Sequence, residues 1–252
     1  MRLRTAVGIG SVALLASTPA AAQVGGGDGF LFRPSPGSLT VHGGLAAPMA
    51  SGGVFQLATT DLTLSRADFQ APQWGLDLAF AIGARGELVF GLERSSTRAP
   101  SESRDFVEEV NGVDVPIRQV TRLQRTPLMV SYRYSLAERG RRVGTVAWIP
   151  ATFVPFVSVG AGRMRYLFEQ TGDFVDRQTL NIFTDRLTSS GWSNLLLAGA
   201  GAQYSVNERY NLTGEIRYLH ANGDGEAPYG DFSGYRVNLS GLSTLVGLTI
   251  RF

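Results

Sequence analysis

Residues 241–252 read Gly-Leu-Ser-Thr-Leu-Val-Gly-Leu-Thr-Ile-Arg-Phe, and their alternation decides the fold. Leu242, Val246, Leu248, Ile250 and Phe252 share one parity with Thr244. Gly241, Ser243, Gly247, Thr249 and Arg251 share the other, broken only by Leu245. A period of two puts these sets on opposite faces of one strand. The pattern recurs upstream. Trp74, Leu76, Leu78, Phe80 and Ile82 alternate with Gly75, Asp77, Ala79, Ala81 and Gly83. Leu88, Phe90 and Leu92 alternate with Glu87, Val89, Gly91 and Glu93. Leu128, Val130, Tyr132, Tyr134 and Leu136 form another apolar stripe, as do Leu212, Ile216 and Tyr218.

Filling the gaps predicts eight strands, at roughly 37–47, 73–83, 86–95, 119–137, 151–169, 191–205, 210–221 and 237–252. The connectors Ala84-Arg85 and Val206–Arg209 are tight, whereas 48–72, 96–118, 170–190 and 222–236 are long. Short turns on one side and long loops on the other mark a membrane barrel, whose closure pairs every backbone group between strands. One connector departs from this rule, because Glu138–Pro150 is too long for a tight turn. Pro155 also stands where a ladder N–H is expected, and a bulge near Gly160–Gly162 accounts for a slip in apolar parity there.

Composition narrows the class. Charged residues make up 17% of the chain, below the roughly 25% usual in soluble proteins. The 31 glycines show no Gly-X-Y period, so collagen is excluded. The absence of cysteine removes disulfide scaffolds, thiolate metal sites and cysteine nucleophiles. Two histidines leave little material for a metal centre, and no metal or cofactor is expected. All 23 basic residues are arginine.

Arg2 and Arg4, the apolar run Thr5–Ala16 and the small residues Ser17–Ala22 form an export leader, with cleavage expected before Gln23. Its apolar core is shorter than the roughly 20 residues a spanning helix needs. The chain thus divides into a signal peptide (1–22), a flexible periplasmic lead-in (23–36) and a barrel (37–252). Loss of Arg2 and Arg4 leaves 21 basic against 21 acidic residues, so the basic pI does not indicate a nucleic-acid partner. The longest later uncharged stretch, Val143–Gly162, holds Pro150, Pro155 and Gly160-Ala161-Gly162, a poor helix.

Aromatic residues fall where interface girdles are expected. Trp74, Trp192, Tyr166, Phe168, Tyr218 and Tyr235 are expected near the outer rim, and Tyr132, Tyr134, Trp148, Tyr204, Tyr210 and Phe252 near the inner one. A soluble barrel would reverse this parity, with charges outside.

The leader, the eight alternating segments and the terminal strand Leu242–Phe252 resemble the small OmpA/OmpX-type outer-membrane barrel superfamily. The resemblance implies an all-β, eight-stranded antiparallel up-and-down transmembrane barrel in a Gram-negative-type outer membrane, surrounded by outer-membrane lipids and lipopolysaccharide. It also assigns Leu242, Val246, Leu248, Ile250 and Phe252 to the signal read by the outer-membrane assembly machinery. It implies no specific role, since one fold hosts many.

Asp77, Glu93, Arg133, Glu215 and Arg217 lie on the inward parity. An arginine facing lipid at the midplane costs about 2–4 kcal/mol, and an eight-stranded barrel is just filled by its side chains. The five charges are therefore expected to pair as a plug, with His42 completing the set. The alternative is a narrow pore for ions or small solutes.

Arg217-Tyr218-Leu219-His220-Ala221-Asn222 resembles the tyrosine-x-histidine-x-serine stretch of lipid A deacylase barrels. Asn222 stands in the serine's place, and an amide has no hydroxyl for His220 to activate. A non-enzymatic protein is expected, with a lipid A-modifying hydrolase as the alternative. Asn222–Glu226 reads as a turn rather than a calcium loop. Asp105, Glu108, Glu109 and Asp114 make the second long connector an acidic, solvated loop. External loops of this kind are expected to meet a ligand that the sequence does not identify.

Overall fold

Eight strands run up and down in chain order: β1 (Gly37–Pro48), β2 (Ala71–Ile82), β3 (Gly86–Val110), β4 (Val113–Ser135), β5 (Phe153–Val175), β6 (Ile182–Ser205), β7 (Tyr210–Gly223) and β8 (Gly241–Arg251). Neighbours in sequence pair antiparallel, and β8 returns to β1, from Ser38 opposite Arg251 to Pro48 opposite Gly241. The ring is closed. The computed structural model describes residues 29–176, 178–223 and 237–252. The leader and its cleavage site, residues 23–28 of the lead-in, Asp224–Glu226 and Tyr235 lie outside the described residues.

The period-two reading holds through the lower barrel. Trp74, Leu76, Leu78 and Phe80 face outward and are exposed, as are Phe90, Leu92, Leu128, Val130, Tyr132 and Tyr134. Leu242, Val246, Leu248, Ile250 and Phe252 complete this apolar belt, while Leu245 is buried on the inner face of β8.

Above the belt the expected loops are strands. β3 runs on to Val110 and β4 starts at Val113, so the second connector is the tip of a tall hairpin. Asn111 and Gly112 make that tip, with φ of 56° and 77°. Two positive φ values define the type I′ turn whose hand matches the strand twist. β5 and β6 likewise extend to Val175 and from Ile182. The apolar alternation ends at residues 95 and 119 because the outward side chains beyond are no longer in the belt, yet pairing continues. Asp105, Glu108, Glu109 and Asp114 are exposed on this hairpin rather than on a loop.

Four smaller corrections concern the ends. The first connector carries a helix, α1 (Gly53–Asp61), and a 3₁₀ turn (Arg66–Phe69). Glu138–Pro150 contains a hairpin of its own, Gly140–Val143 paired with Ala147–Pro150. Leu31 of the lead-in bridges to it through two backbone bonds with Trp148, of 2.8 and 2.6 Å. β8 begins at Gly241, because Leu239–Ser240 interrupt the strand; Val237–Asn238 makes a separate short pairing with the end of β7, the strand that β8 itself pairs with. The expected bulge at Gly160–Gly162 is absent, for β5 keeps unbroken register with β4 from Phe156 to Gly172.

Candidate functional site: the barrel lumen

The inward parity of the lower barrel assembles the five charges selected from sequence. Asp77, Glu93, Arg133, Glu215 and Arg217 come from β2, β3, β4 and β7, and all are buried. Arg217 bridges Glu93 through Nη1, and through Nη2 it meets Asp77 at 2.5 Å and Glu215 at 2.9 Å. Arg133, only 2% exposed, lies 3.7 Å from Asp77 and 3.6 Å from both Glu215 and Glu87. Its guanidinium also sits 4.5 Å above the Phe156 ring. His42 Nε2 joins at 3.5 Å from Asp77.

Further members escaped the sequence reading. Glu87 is shared by Arg133 and by Arg139, which enters from the lower connector at 2.7 Å. Gln73 donates to Glu93 and accepts from Ser243 Oγ at 3.0 Å, while Ser158 donates to Glu215 at 3.0 Å. Glu87 already sat in the inward stripe of β3, so parity could have found it. Arg139 lies on a connector, where no parity applies.

Glycines make the room. A Cβ on Gly75 would stand 2.7 Å from the His42 ring and 2.9 Å from Glu93 Cγ. One on Gly199 would stand 2.6 Å from Ser158 Oγ and 2.8 Å from Glu215 Oε1. Small inward residues opposite large charged ones thus interdigitate to fill the narrow interior. A void beside Thr40, His42, Glu215 and Arg217 measures about 10 Å³, and one nearer the lower mouth, beside Glu87, Arg139 and Arg251, about 20 Å³.

The upper lumen is a different medium. Leu123, Met129, Met164, Tyr166, Phe168, Leu195, Leu197 and Leu219 face inward there, and α1 lowers Val54, Phe55 and Ala58 among them. Phe55 packs edge-to-face on Phe69 at 5.0 Å and on Phe168 at 5.6 Å between ring centroids. Tyr166 and Phe168, expected in the outer girdle, therefore belong to this core. The segment is tied to the wall by Met49 N–H to Ser240 O at 2.7 Å and Thr63 N–H to Glu102 O at 2.9 Å. Arg104 Nε also donates to Leu62 O at 2.6 Å. Beside α1, the tall hairpins enclose a cleft of about 180 Å³ lined by Leu57, Leu62, Phe106, Ile117, Leu187 and Asp61.

At the lower mouth, the 140–150 hairpin turns Trp148 inward and buries it. Arg251 lies 6.0 Å over its ring and donates to Ser205 Oγ at 3.1 Å. Trp148 is thus a mouth residue and not part of the girdle. Trp74, Tyr132, Tyr134 and Trp192 do face outward and exposed, and Tyr218 faces outward half-buried.

His220 is exposed on the outer face of β7, with Asn222 Nδ2 3.4 Å from its Nε2. Ser240 Oγ is 3.4 Å from Nδ1, but it is buried and accepts from Ala221 N–H at 3.1 Å. That hydroxyl is occupied by the backbone and has no open face toward a substrate.

An apolar belt around a charged, filled interior inverts the arrangement of a soluble barrel. The architecture is that of a small outer-membrane barrel. No protein-family model matches the sequence, and no curated protein matches it. Solved outer-membrane barrels are similar in shape. Neisserial surface protein A is 10% identical, covering 86% of this chain and 98% of its own, at a TM-score of 0.48. OprG from Pseudomonas aeruginosa is 13% identical, covering 88% and 99%, at 0.46. The outer-membrane protease OmpT from Escherichia coli is 9% identical, covering 86% and 94%, at 0.41. At such identities no activity is transferred, and the assignment of the barrel rests on its own closed register.

Proposed function

We propose that the chain is an integral outer-membrane barrel with a closed lumen, acting at the cell surface as a binding or structural protein rather than an enzyme. The observation that carries this reading is the filled interior: Arg133 and Arg217 hold four carboxylates across the lower lumen. The apolar segment around Phe55 above and Trp148 below support it. The voids among the described residues of the lower lumen, about 10 Å³ beside His42 and about 20 Å³ beside Glu87 and Arg251, are the size of one or two waters. The tall hairpins and the cleft beside α1 offer the surface through which an external ligand would be met. Export follows from the leader, with cleavage before Gln23, and the outward stripe ending at Phe252 is offered to the assembly machinery.

Planar-bilayer recording on the purified full chain tests closure, with no resolvable conductance steps expected. Reproducible steps would replace the closed barrel by the pore. Fractionation tests compartment: a heat-modifiable band in the outer membrane beginning at Gln23 is expected, and a soluble periplasmic pool would overturn it. Lipid A mass spectra should be the same with and without the protein, whereas loss of an acyl chain would reinstate the hydrolase.

A further inference from the structure

We infer that outward-facing arginines on β3, β4 and β5 form a docking site for a phosphorylated glycolipid of the outer leaflet. This rests on the outer-membrane reading above. Arg94, Arg98, Arg163 and Arg165 are exposed and Arg122 is half-buried, all on the outer parity. They begin where the apolar belt stops, after Leu92 on β3 and Ala161 on β5. Arg94 lies across from Trp74, and Arg165 across from Trp192. The Arg163 guanidinium stacks 5.5 Å over the Trp192 ring. Higher on the same wall, Arg98 stands opposite Arg122 in the ladder.

Like charges facing each other across a sheet are destabilising; the carboxylate across the next ladder from Arg122, Glu169, is taken by Arg186, and Arg98 has no carboxylate opposite it among the described residues. The protein supplies one elsewhere on the same face: Arg118 has Glu102 at 3.3 Å and Arg186 has Glu169 at 3.0 Å. Among the described residues, none of the five has a carboxylate partner. The patch is also one-sided. The outward positions of β1, β2, β7 and β8 carry no arginine among the described residues.

Guanidinium forks take phosphate oxygens in pairs, which a lysine ammonium cannot match. The four steps from Arg94 to Arg98 span about 13 Å along the strand, giving two tiers for a head bearing two phosphates. Acyl chains would lie on Leu92, Leu128 and Val159 beneath, all exposed apolar residues of the belt. These arginines point sideways from the wall, continuous with that belt, which favours a lipid over a soluble polyanion arriving from above.

The test uses the full chain purified in detergent and native mass spectrometry with added diphosphorylated lipid A. The wild type is expected to retain one lipid A. The variant R94Q/R122Q/R163Q/R165Q should bind at least about tenfold more weakly, since it loses four guanidiniums that would make charge-assisted hydrogen bonds to phosphate. Dephosphorylated lipid A should bind the wild type no better than lipid A binds the variant. Millimolar inorganic phosphate should not displace the lipid. Equal retention by the variant, equal binding of the dephosphorylated lipid, or displacement by free phosphate would each overturn the site. Preferential capture of sucrose octasulfate would assign the patch to a soluble polyanion instead.

Arg98→Gln provides a second, fold-independent readout. It should raise the melting temperature in phosphate-free detergent, by relieving the like-charge pair, and remove the stabilisation that lipid A gives the wild type. A uniform fall in both conditions would mean a structural role only. These outcomes do not depend on where the chain resides, so they are distinguishable from a failure in fractionation.

Discussion

The lower and upper halves of the lumen are lined by the same strands on the same parity, yet their fillings differ: ion pairs below, and above a mainly apolar cluster in which Arg125 is buried and donates to Leu239 O at 3.1 Å. Below, Asp77, Glu87, Glu93, Arg133, Glu215 and Arg217 form ion pairs with one another across the barrel. Above, Leu123, Met164, Phe168, Leu195 and Leu219 pack around the segment bearing Phe55 and Phe69. The charged half is completed by the wall itself, and the apolar half requires an insert. A charge network built from the wall comes apart with the barrel, whereas an insert can undock while the wall persists.

The largest effect should therefore come from the wall. Arg217→Ala leaves Glu93 without its cation, and Asp77 and Glu215 with only Arg133, at 3.7 and 3.6 Å. Removing one side of a buried ion pair costs about 3–5 kcal/mol. The heat-modifiable transition should fall to a markedly lower temperature, and an unchanged transition would break the contrast between the two halves.

Phe55→Ala removes a fully buried ring from the insert. A ring deletion in a core costs about 3–5 kcal/mol when the site stays docked. Here local undocking of 49–70 limits the loss. The barrel transition should shift less than in Arg217→Ala, and limited proteolysis should cut within 49–70. A global destabilisation equal to that of Arg217→Ala would show that insert and wall are one unit.

The smallest effect concerns the foot of the insert. Asp68 accepts from Ser65 N–H at 2.7 Å and Ser65 Oγ at 2.8 Å. Those bonds, the backbone one first, hold its carboxyl below the ordinary value of 3.8. A lowered folded value means the contribution is present above the unfolded value and is lost as pH falls through the folded one. The group is exposed, so the effect stays under about 1 kcal/mol. Proteolysis of 65–70 should be unchanged between pH 7 and 5 and rise only below about pH 4. Asp68→Asn should abolish that rise.

Strand number, the lipid-facing stripes and the inward position of Asp77, Glu93, Arg133, Glu215 and Arg217 were all legible in sequence, because parity is a local property of each strand. The type I′ signal Asn111-Gly112 was also present in the chain. It went unread because the outward residues above the belt lose their apolar character, although their backbones still pair. Tyr166 and Phe168 were placed at the rim because an aromatic ring suits a membrane interface and a core equally well. Only an unbroken register through Gly160 and Gly162 turns them inward.

What the sequence by itself determined was the wall: which residues alternate, which face meets an apolar medium and which strand closes the ring. Only the tertiary structure decided what fills that wall. The burial of Phe55, the inward turn of Trp148 and the bond of Arg139 to Glu87 join residues from connectors to strands distant in sequence. Connectors have no periodicity to constrain their side chains. Their positions follow from the shape and polarity of a cavity that exists only once β8 has paired with β1.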